Sequence, residues 1–333
     1  MGIEELLAEL QERLAELKRL GPEEGLDLSH EIAELEEKLA QARNSREPDT
    51  WERVRLARHP KRPTSLDYIK LLMDDFYELH GDRLSGDDGA IVGGLAQFAG
   101  RTVVVVGHQK GRSLEENKLR RYGMPGPGGY RKALRIMRLA ERFGLPIISL
   151  IDTPGAYPGR EAEEYNIGGA IADSIYGMLQ LRVPIVVAII GEGGSGGAIA
   201  LGVGDRVIML ENAYYSVISP EGCAAILWRD RGKTPEAAAR LKLTAPDLLE
   251  LGVIDELVEE PPGGAHADPQ GTAQRLGEAL LRHLEGLEAV APGELLDQRL
   301  KRYLQMGIYE EAAAIVELAS EEEADNVSDR PER

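Results

Sequence analysis

Apolar residues recur along the chain with two different spacings, and each spacing predicts a different kind of element. Near the start, leucines and isoleucines spaced by three or four residues fall within residues 3–17 and again within 28–42. The segment Gly21-Pro-Glu-Glu-Gly25 separates these two runs. The pattern predicts a helical hairpin, and because two heptads are too few for a stable free coiled coil, its arms should pack on each other, the main body or another subunit.

The middle of the chain alternates short apolar runs with amphipathic segments. Residues 90–98 and 102–107 are predicted strands joined by a tight turn at Ala99-Gly100, and the valines at 103–106 indicate burial on both faces. The same patterns predict strands at 146–152, 184–190, 205–210 and 214–218, and helices at 130–143, 161–181, 220–228, 235–241 and 246–251. This order predicts an α/β fold with a largely parallel central sheet.

The remaining segments set the predicted domain boundaries. Residues 46–64 contain three prolines and are predicted to form a connecting arm, whereas 270–318 should be helical and peripheral. The polar end lacks apolar periodicity and is predicted to be disordered. The predicted organisation is hairpin and arm (1–64), main domain (65–260), C-terminal helical extension (261–318) and acidic tail (319–333).

Composition limits the classes of function. The chain has 333 residues, 43% of them hydrophobic, and a formal net charge of −18, which disfavours nucleic-acid binding. A single cysteine, Cys223, excludes internal disulfides and multi-cysteine zinc sites and fits a reducing compartment. No basic-apolar leader and no apolar stretch of roughly 18 residues is present, so we expect a cytoplasmic protein without a membrane segment.

Two glycine-containing turns carry the candidate chemistry. The apolar run 184–190 leads into Gly191-Glu-Gly-Gly-Ser-Gly-Gly-Ala198, and the run 146–152 leads into Thr153-Pro-Gly-Ala-Tyr-Pro-Gly159. Both turns follow the carboxyl ends of predicted parallel strands, where α/β proteins collect ligands. Backbone N–H groups in such turns can form an oxyanion hole, so the candidates are Gly155, Ala156, Gly196 and Gly197.

Other motifs overlap the second turn. Gly191-x-Gly193-x-x-Gly196 matches a dinucleotide fingerprint, with Glu211 at the position of the ribose-binding acid, but the following helix is too short for a Rossmann crossover. The segment around Ser195 matches a nucleophile elbow, for which His266 or His283 would have to be the base. Asp152-Thr-Pro-Gly155 resembles a GTPase switch, but no phosphate-binding Gly-x-x-x-x-Gly-Lys-Ser/Thr motif accompanies it.

Charge gives a further clue to the ligand. Residues 108–142 carry a net charge of +7 inside a chain of −18, which indicates an anionic ligand or an acidic partner. A solvated helix face explains the stripe of Arg131, Arg135, Arg138 and Arg142 equally well. Lys110 and Arg112 follow a buried strand and are the predicted ligand contacts.

Six blocks of sequence together resemble the α subunit family of bacterial acetyl-CoA carboxylase carboxyltransferases over residues 3–308. They are Leu56-Ala-Arg-His-Pro60, Gly107-His-Gln-Lys-Gly-Arg112, Gly129-Tyr-Arg-Lys-Ala133, Ile151-Asp-Thr-Pro-Gly-Ala-Tyr-Pro-Gly159, Gly191-Glu-Gly-Gly-Ser-Gly-Gly-Ala198 and Tyr215-Ser-Val-Ile-Ser-Pro-Glu-Gly-Cys223. The resemblance implies a crotonase-like (ClpP/crotonase) fold of repeated ββα units. It also implies transfer of a carboxyl group from carboxybiotin to acetyl-CoA, giving malonyl-CoA for fatty-acid synthesis.

The same resemblance implies partners and site residues. The expected partners are a β subunit in an α2β2 assembly, the biotin carboxyl carrier protein and biotin carboxylase, within a biotin-dependent, ATP-binding complex. This chain is expected to bind no cofactor or metal of its own, with zinc only in the β subunit. The family pattern places oxyanion stabilisation at Gly155-Ala156 and Gly196-Gly197, and substrate contacts at Lys110, Arg112 and Tyr157.

One segment departs from the family pattern. After Ala162-Glu-Glu164 the chain continues Tyr165-Asn-Ile-Gly-Gly169 where the family usually has Arg-Gly-Gln. Glycines weaken a helix by roughly 1 kcal/mol each relative to alanine. This departure raises the alternatives of a related acyl-CoA substrate or a different assembly. Two rival hypotheses stand beside the transferase: a stand-alone crotonase-like hydrolase or decarboxylase that uses Ser195 or the same oxyanion holes, and a non-enzymatic scaffold or regulator that keeps the fold and binds partners.

Overall fold

The computed structural model describes residues 49–307 and, ahead of them, 13–14, 17–18, 28, 30–35 and 38. Residues 13–14, 17–18, 30–35 and 38 are helical. Most of the predicted hairpin at 3–17 and 28–42 lies outside the described residues, as does the predicted tail at 319–333. The predicted domain boundaries stay predictions.

Within the described residues, eight strands form one sheet. The strands are β1 (Asp74–Glu78), β2 (Ile91–Phe98), β3 (Arg101–His108), β4 (Ile147–Thr153), β5 (Ile185–Gly194), β6 (Arg206–Leu210), β7 (Tyr214–Ser216) and β8 (Glu256–Val258). Their order is β1-β2-β3-β4-β5-β6-β8, and β7 pairs with the end of β5. The first three strands pair antiparallel and the later pairs are parallel, which confirms the largely parallel sheet.

Helices connect and cover these strands. They are α1 (Thr50–Ala57), α2 (Ser65–Leu72), α3 (Leu114–Leu119), α4 (Pro127–Phe143), α5 (Arg160–Glu164), α6 (Ile167–Gln180), α7 (Ser195–Ile199), α8 (Pro220–Trp228), α9 (Thr234–Arg240), α10 (Ala245–Glu250), α11 (Pro269–Glu288) and α12 (Pro292–Leu304). Short 3-10 turns lie at Arg121–Gly123 and Arg231–Lys233. None of the helices in the described part of the chain combines the length and apolar character of a membrane span.

The register of the central strands fixes where the site lies. Every residue of β4 and β5 is buried, as expected for parallel strands covered on both faces. Val106 of β3 pairs with Ser149 of β4, which pairs with Val187 of β5. The carboxyl ends of these three strands therefore emerge at one edge of the sheet, and the segments that follow them meet there.

Two predicted elements differ from the structure. The connecting arm at 46–64 contains helix α1, which begins at a capping box in which Asp49 and Glu52 satisfy each other's backbone N–H groups. The predicted helix at 161–181 is two helices, α5 and α6, because Asn166 adopts a left-handed conformation with φ of 60°. Its side chain accepts a hydrogen bond from the Gly169 N–H at 3.0 Å.

That break explains the two glycines of the unusual segment. Gly168 and Gly169 lie in the first turn of α6, and a Cβ on Gly169 would meet the capping side chain of Asn166. Their cost in helix stability is smaller there than in a helix interior, because the first-turn N–H groups have no intrahelical partner. The segment begins a new helix and does not weaken a continuous one.

Within the described part of the predicted peripheral segment 270–318, helices α11 and α12 belong to the core, contrary to that prediction. Residues 308–318 lie outside the described residues. Helix α11 contributes buried leucines to the main hydrophobic cluster. Arg299 of α12 is fully buried, and its guanidinium binds both carboxylate oxygens of Asp205 at 2.8 and 2.7 Å. The same guanidinium donates to the backbone oxygens of Met178, Leu181 and Val183. Helix α12 is thereby attached to the end of α6 and the start of β6.

Candidate active site

Two turns meet at the carboxyl edge of the sheet. Turn A (residues 153–157) comprises the last residue of β4 and the four residues after it, and turn B (residues 191–197) comprises the end of β5 and the start of α7. Thr153 is in register with Gly193, so the two turns lie side by side. The structure thus brings together the two segments in which sequence analysis placed the oxyanion candidates.

Turn A is held by its own threonine. Gly155 has a φ of +153°, and its N–H donates to Thr153 Oγ1 at 3.0 Å. That hydroxyl in turn donates to the Gly155 carbonyl oxygen at 2.7 Å. The Ala156 N–H has no acceptor among the described residues, and Ala156 is partly exposed. The oxyanion prediction for turn A therefore narrows to the amide of Ala156.

Turn B starts a short helix. Ser195 adopts a left-handed conformation with φ of +52° and is the first residue of α7. The N–H groups of Gly196 and Gly197 fall in the first turn, where an α-helix provides no acceptor. Gly196 is partly exposed and Gly197 is buried. Of this pair, Gly196 is the more accessible to a ligand.

Glycine is required where the turns touch. A Cβ built on Gly197 would lie 2.5 Å from the Ala156 nitrogen and 2.8 Å from the Gly155 oxygen. A Cβ on Gly194 would collide with the Pro154 carbonyl, whereas one on Gly196 would meet only Ile171 at 3.5 Å. Backbone therefore packs directly on backbone between the turns, which leaves no room for a side chain.

A buried histidine supports turn B through a hydrogen bond to the Gly197 carbonyl. His108 Nε2 lies 3.2 Å from the Gly197 carbonyl oxygen, and since a carbonyl only accepts, Nε2 carries the proton. Burial lowers the pKa of His108 to about 3, so the imidazole is neutral near pH 7. Its Nδ1 is buried and has no partner among the described residues. His108 therefore acts as a neutral hydrogen-bond donor to the Gly197 carbonyl. Because its side chain is buried, His108 does not act as a base exposed to solvent.

Beside the turns lies a group of charged side chains, here called the site cluster: the buried carboxylates of Asp152 and Glu192 and the partly exposed Lys110 and Arg58. Lys110 Nζ donates to Asp152 Oδ1 at 2.6 Å and to Glu192 Oε1 at 2.8 Å. Arg58 Nε and the Tyr214 hydroxyl donate to Glu192 Oε2, at 2.8 and 2.7 Å. Each carboxylate in the cluster therefore faces a cation.

These contacts fix the ionisation states. Burial opposes the charge on Glu192, but Lys110 and Arg58 outweigh it and lower its pKa to about 2. Burial alone would lower the pKa of Lys110, but Asp152 and Glu192 raise it above its ordinary value. The carboxylate of Glu192 and the ammonium of Lys110 both stay charged across the physiological range.

The predicted substrate contacts occupy different environments. Lys110 lies next to the turns, with 19% of its side chain exposed and its charge directed at two carboxylates. Arg112 instead forms an ion pair with Asp67 and donates to the backbone oxygens of Pro60 and Arg62. The structure brings Lys110 to the candidate site and places Arg112 against the start of α2.

Tyr157 lies at the end of turn A. Its N–H donates to the Pro125 carbonyl at 2.9 Å, and the Arg121 guanidinium lies 4.8 Å from its ring centroid. The ring lines a cleft of about 180 Å³ that also touches the start of α4 and Tyr165. A role for Tyr157 in substrate binding stays a prediction.

Most of the basic segment is neutralised inside the chain. Arg131, Lys132 and Arg121 pair with Asp82, Asp87 and Asp88 respectively, and Arg135 donates to the backbone of the same loop. The excess positive charge at 108–142 therefore fastens the loop at residues 80–88. These contacts account for part of the charge pattern, and the anionic ligand stays a prediction.

The competing motifs find no support in the geometry. Ser195 is exposed, and the candidate bases are engaged elsewhere: His266 stacks on His59 at 3.6 Å, and His283 pairs with Glu256 at 2.9 Å. Helix α7 has five residues, too short for a dinucleotide-binding crossover, and Glu211 accepts a hydrogen bond from the Glu260 N–H. Across the described residues, no group of three or more His, Cys, Asp or Glu side chains could hold a metal ion.

Asp152, Glu192, Arg58 and His108 belong to the site but are not among the residues predicted from the sequence. A signal for two of them was present, because Asp152 and Glu192 each end an apolar run beside a glycine turn. Two carboxylates at neighbouring parallel strand ends need a cation between them. Lys110 is that cation.

Comparisons with known proteins agree with this architecture. The family model "Acetyl co-enzyme A carboxylase carboxyltransferase-like" matches residues 1–307. An acetyl-coenzyme A carboxylase carboxyl transferase subunit alpha from Thermus thermophilus is 54% identical over 313 residues, covering 93% of this chain and 99% of the relative. The subunit of that name from Deinococcus radiodurans is 52% identical over 307 residues, covering 92% and 97%.

Solved structures with lower identity show the fold. A transcarboxylase 12S structure with methylmalonyl-coenzyme A and methylmalonic acid bound has a TM-score of 0.54 at 21% identity, covering 71% of this chain and 44% of that one. A Pseudomonas malonate decarboxylase hetero-tetramer in complex with coenzyme A has a TM-score of 0.54 at 18% identity, covering 72% and 93%. The α/β fold is crotonase-like, as the resemblance implies. Because the family model matches residues 1–307 of the 333, the chain belongs to the family of acetyl-CoA carboxylase carboxyltransferase α subunits.

Proposed function

We propose that this chain, together with a β subunit, transfers a carboxyl group from carboxybiotin to acetyl-CoA and so forms malonyl-CoA. The observation that carries the proposal is the direct contact of turns A and B, with Gly197 packed against the Gly155–Ala156 peptide. This contact holds the amides of Ala156 and Gly196 at one edge of the sheet in a family that acts on acyl-CoA. Family membership supports the assigned reaction, and the geometry of the two turns supports the assigned location of the active site.

The reaction requires negative charge to be stabilised on two oxygens. When the carboxyl group leaves, the C–N bond to biotin breaks and charge develops on the ureido oxygen. When the acetyl methyl group loses its proton to the biotin nitrogen, charge develops on the thioester oxygen, and the new C–C bond then forms to the carboxyl carbon. The amides of Ala156 and Gly196 are the donors that we assign to these oxygens, one from each turn.

Backbone donors suit this task because they are fixed before the reaction starts. A rigid N–H group needs no reorganisation when charge develops, which is why loss of one such donor typically lowers rate by about 10²–10³-fold. The neutral His108 and the paired Thr153 keep the two turns rigid through their contacts with Gly197 and Gly155. Side chains of this chain serve mainly to position the amides.

The proposed assembly follows the family. The β subunit would complete the site and hold zinc, while biotin would arrive on the biotin carboxyl carrier protein after carboxylation by biotin carboxylase. This chain would hold no prosthetic group of its own, and its location would be the cytoplasm.

The experiment is co-expression with the cognate β subunit, followed by size-exclusion chromatography and an assay of malonyl-CoA formation with carboxybiotin and acetyl-CoA. The proposal expects an α–β complex that forms malonyl-CoA only when both substrates are present. The chain alone should form none. Hydrolysis or decarboxylation of an acyl-CoA by the purified chain alone would instead favour the stand-alone enzyme, and a stable complex without any turnover would favour a scaffold.

A further inference from the structure

Three strand ends converge on one ammonium group. Lys110 lies two residues after β3, Asp152 lies near the end of β4, and Glu192 lies near the end of β5. The two carboxylates are 6% and 9% exposed, and Lys110 Nζ is within 2.8 Å of an oxygen of each. Turn A begins one residue after Asp152, and Glu192 lies inside turn B.

Asp152 also links the strands directly. Its Oδ1, the atom that binds Lys110, accepts the backbone N–H of Glu192 at 3.0 Å. A Cβ on Gly191 would collide with that same oxygen. The carboxylate therefore sits tightly against the backbone from which turn B starts, and a shift of Asp152 would move both turns.

The lysine stem is fixed as firmly as its charge. Gly123 has a φ of +78°, and a Cβ there would lie 2.7 Å from Lys110 Cγ and 3.2 Å from the Asp152 carbonyl. The stem therefore packs on the 3-10 turn of residues 121–123. With its stem enclosed and two hydrogen-bonded carboxylates as partners, Lys110 has little freedom to swing toward a substrate.

Electrostatics makes this ammonium necessary. Without it, two buried carboxylates would face each other with no cation between them: Arg58 binds the far oxygen of Glu192 and also Glu221, and Arg62, whose charge acts on Asp152, is paired with Glu260. Removal of one partner from a buried ion pair is strongly destabilising, because the remaining charge is left uncompensated. The repulsion is relieved when the carboxylates move apart, which would separate turn A from turn B.

We propose that Lys110 is a positioning residue that sets the spacing of the two oxyanion turns, and that it does not contact substrate. The inference rests on the proposed function and changes the predicted role of Lys110 from ligand contact to an internal clamp. The ion pairs of Lys110 with Asp152 and Glu192 keep the amides of Ala156 and Gly196 in register.

The kinetic test uses Lys110→Met in the α–β complex. Loss of register should lower kcat by about a hundredfold, comparable to the loss of an oxyanion donor, while the KM values for acetyl-CoA and carboxybiotin stay within about threefold. Direct substrate contact would give the opposite split, with KM raised about tenfold or more and kcat largely retained. That opposite split would overturn the proposal.

Charge rescue provides a second readout. In Lys110→Met/Glu192→Gln, one positive and one negative charge are removed together, so Asp152 no longer faces a second carboxylate. We expect kcat to recover about tenfold relative to Lys110→Met, because the repulsion that separates the turns is gone. Equal kcat values in the two variants would contradict the proposal. If Lys110→Met fails to yield complex, the double variant is compared with Glu192→Gln alone, and equal kcat values for that pair would contradict it too.

Hydrogen exchange separates this inference from the proposed function. Amides of residues 153–157 and 191–197 should exchange at least about tenfold faster in Lys110→Met than in the wild-type complex. The matched control is Lys132→Met, which removes a buried lysine whose partners are the Asp87 carboxylate and the Asp88 carbonyl, and it should leave exchange in both turns unchanged. Faster exchange in the turns without malonyl-CoA formation by the wild type would support the clamp and refute the reaction. Unchanged exchange in Lys110→Met would refute the clamp.

Discussion

Turns A and B present backbone amides at the same edge of the sheet, but each turn reaches its conformation in a different way. Turn A is held by a side chain, because Thr153 Oγ1 binds both the N–H and the carbonyl of Gly155. Turn B is held by secondary structure, because α7 begins inside it. The amides in the first turn of α7 are left without intrahelical acceptors. One turn depends on a single hydroxyl, and the other depends on the absence of side chains.

The difference indicates which substitutions would disrupt each turn. Turn A should tolerate changes that keep a hydroxyl, and turn B should tolerate no added atom where it faces turn A. The amide of Gly155 is used to hold its own turn, so the rigidity of turn A removes one donor from the site. Turn B keeps the amides of Gly196 and Gly197 because the hydrogen bonds that fix it use other groups, the Gly197 carbonyl and the Glu192 N–H.

The largest effect is expected from Gly197→Ala. The new Cβ would lie 2.5 Å from the Ala156 nitrogen, so the turns must separate. We expect kcat for malonyl-CoA formation to fall by at least about a hundredfold, since a displacement near 1 Å can cost that much. Gly196→Ala is the matched control, because its Cβ meets only Ile171. This variant should fold and assemble like the wild type, and its kcat should be about tenfold higher than that of Gly197→Ala. Equal losses in the two variants would show that the contact between turns is unimportant.

A smaller effect is expected from Thr153→Val, which keeps the shape of the side chain and removes the hydroxyl. The Gly155 N–H and carbonyl would lose their partner, at a cost of about 1–3 kcal/mol for a buried unsatisfied group. We expect a lower thermal midpoint and a kcat reduced about tenfold, because turn A loosens without a collision. Thr153→Ser should restore both. If Thr153→Val matches the wild type in both measurements, side-chain support of turn A is refuted.

The support beneath turn B predicts a pH dependence of stability. The pKa of folded His108 is about 3, below the roughly 6.5 of the unfolded chain, so the unfolded state takes up the proton first as pH falls. This contribution to stability is present above pH 6.5 and is lost progressively as pH decreases toward 3. We expect a loss of about 1 kcal/mol between pH 8 and 5.5, measured by urea unfolding.

His108→Gln is the control for that measurement. Glutamine can donate to the Gly197 carbonyl but does not titrate, so the difference between the wild type and the variant isolates His108 from the other histidines. Parallel pH profiles for the two proteins would mean that His108 is not buried as a neutral group in solution.

The smallest effect is expected from Ser195→Ala. The hydroxyl is exposed, and both candidate imidazoles are engaged elsewhere, so kcat should stay within about threefold of the wild type. Steady-state kinetics of the complex measure this directly. A loss of about a thousandfold would instead identify Ser195 as a nucleophile and restore the hydrolase hypothesis.

Much of the fold follows from local sequence patterns. Strands β3, β4 and β5 are continuous apolar runs, so their burial and order could be predicted, as could helix α8 from its Ser219-Pro220 start. Helix α1 was obscured by flanking prolines, and the break before α6 depends on a left-handed Asn166 that no periodicity reveals.

The site was predictable only where it depends on local sequence patterns. The glycine turns are local, but the role of Lys110 depends on partners 42 and 82 residues further along the chain. Sequence alone shows a lysine after a buried strand and does not show which carboxylates it meets. Tertiary contacts, not any local motif, determine that Lys110 faces Asp152 and Glu192 at neighbouring strand ends while Arg112 faces Asp67 of α2.

The buried guanidinium of Arg299 has a practical consequence for anyone shortening this protein. A chain cut before α12 would leave the Asp205 carboxylate enclosed without its cation, together with three backbone carbonyls that lose their donor. Breaking such a pair from one side typically costs about 3–5 kcal/mol, a large share of the net stability of an ordinary domain. The smallest fragment able to fold must therefore extend past Arg299, even though that residue lies far along the sequence from the turns of the candidate site.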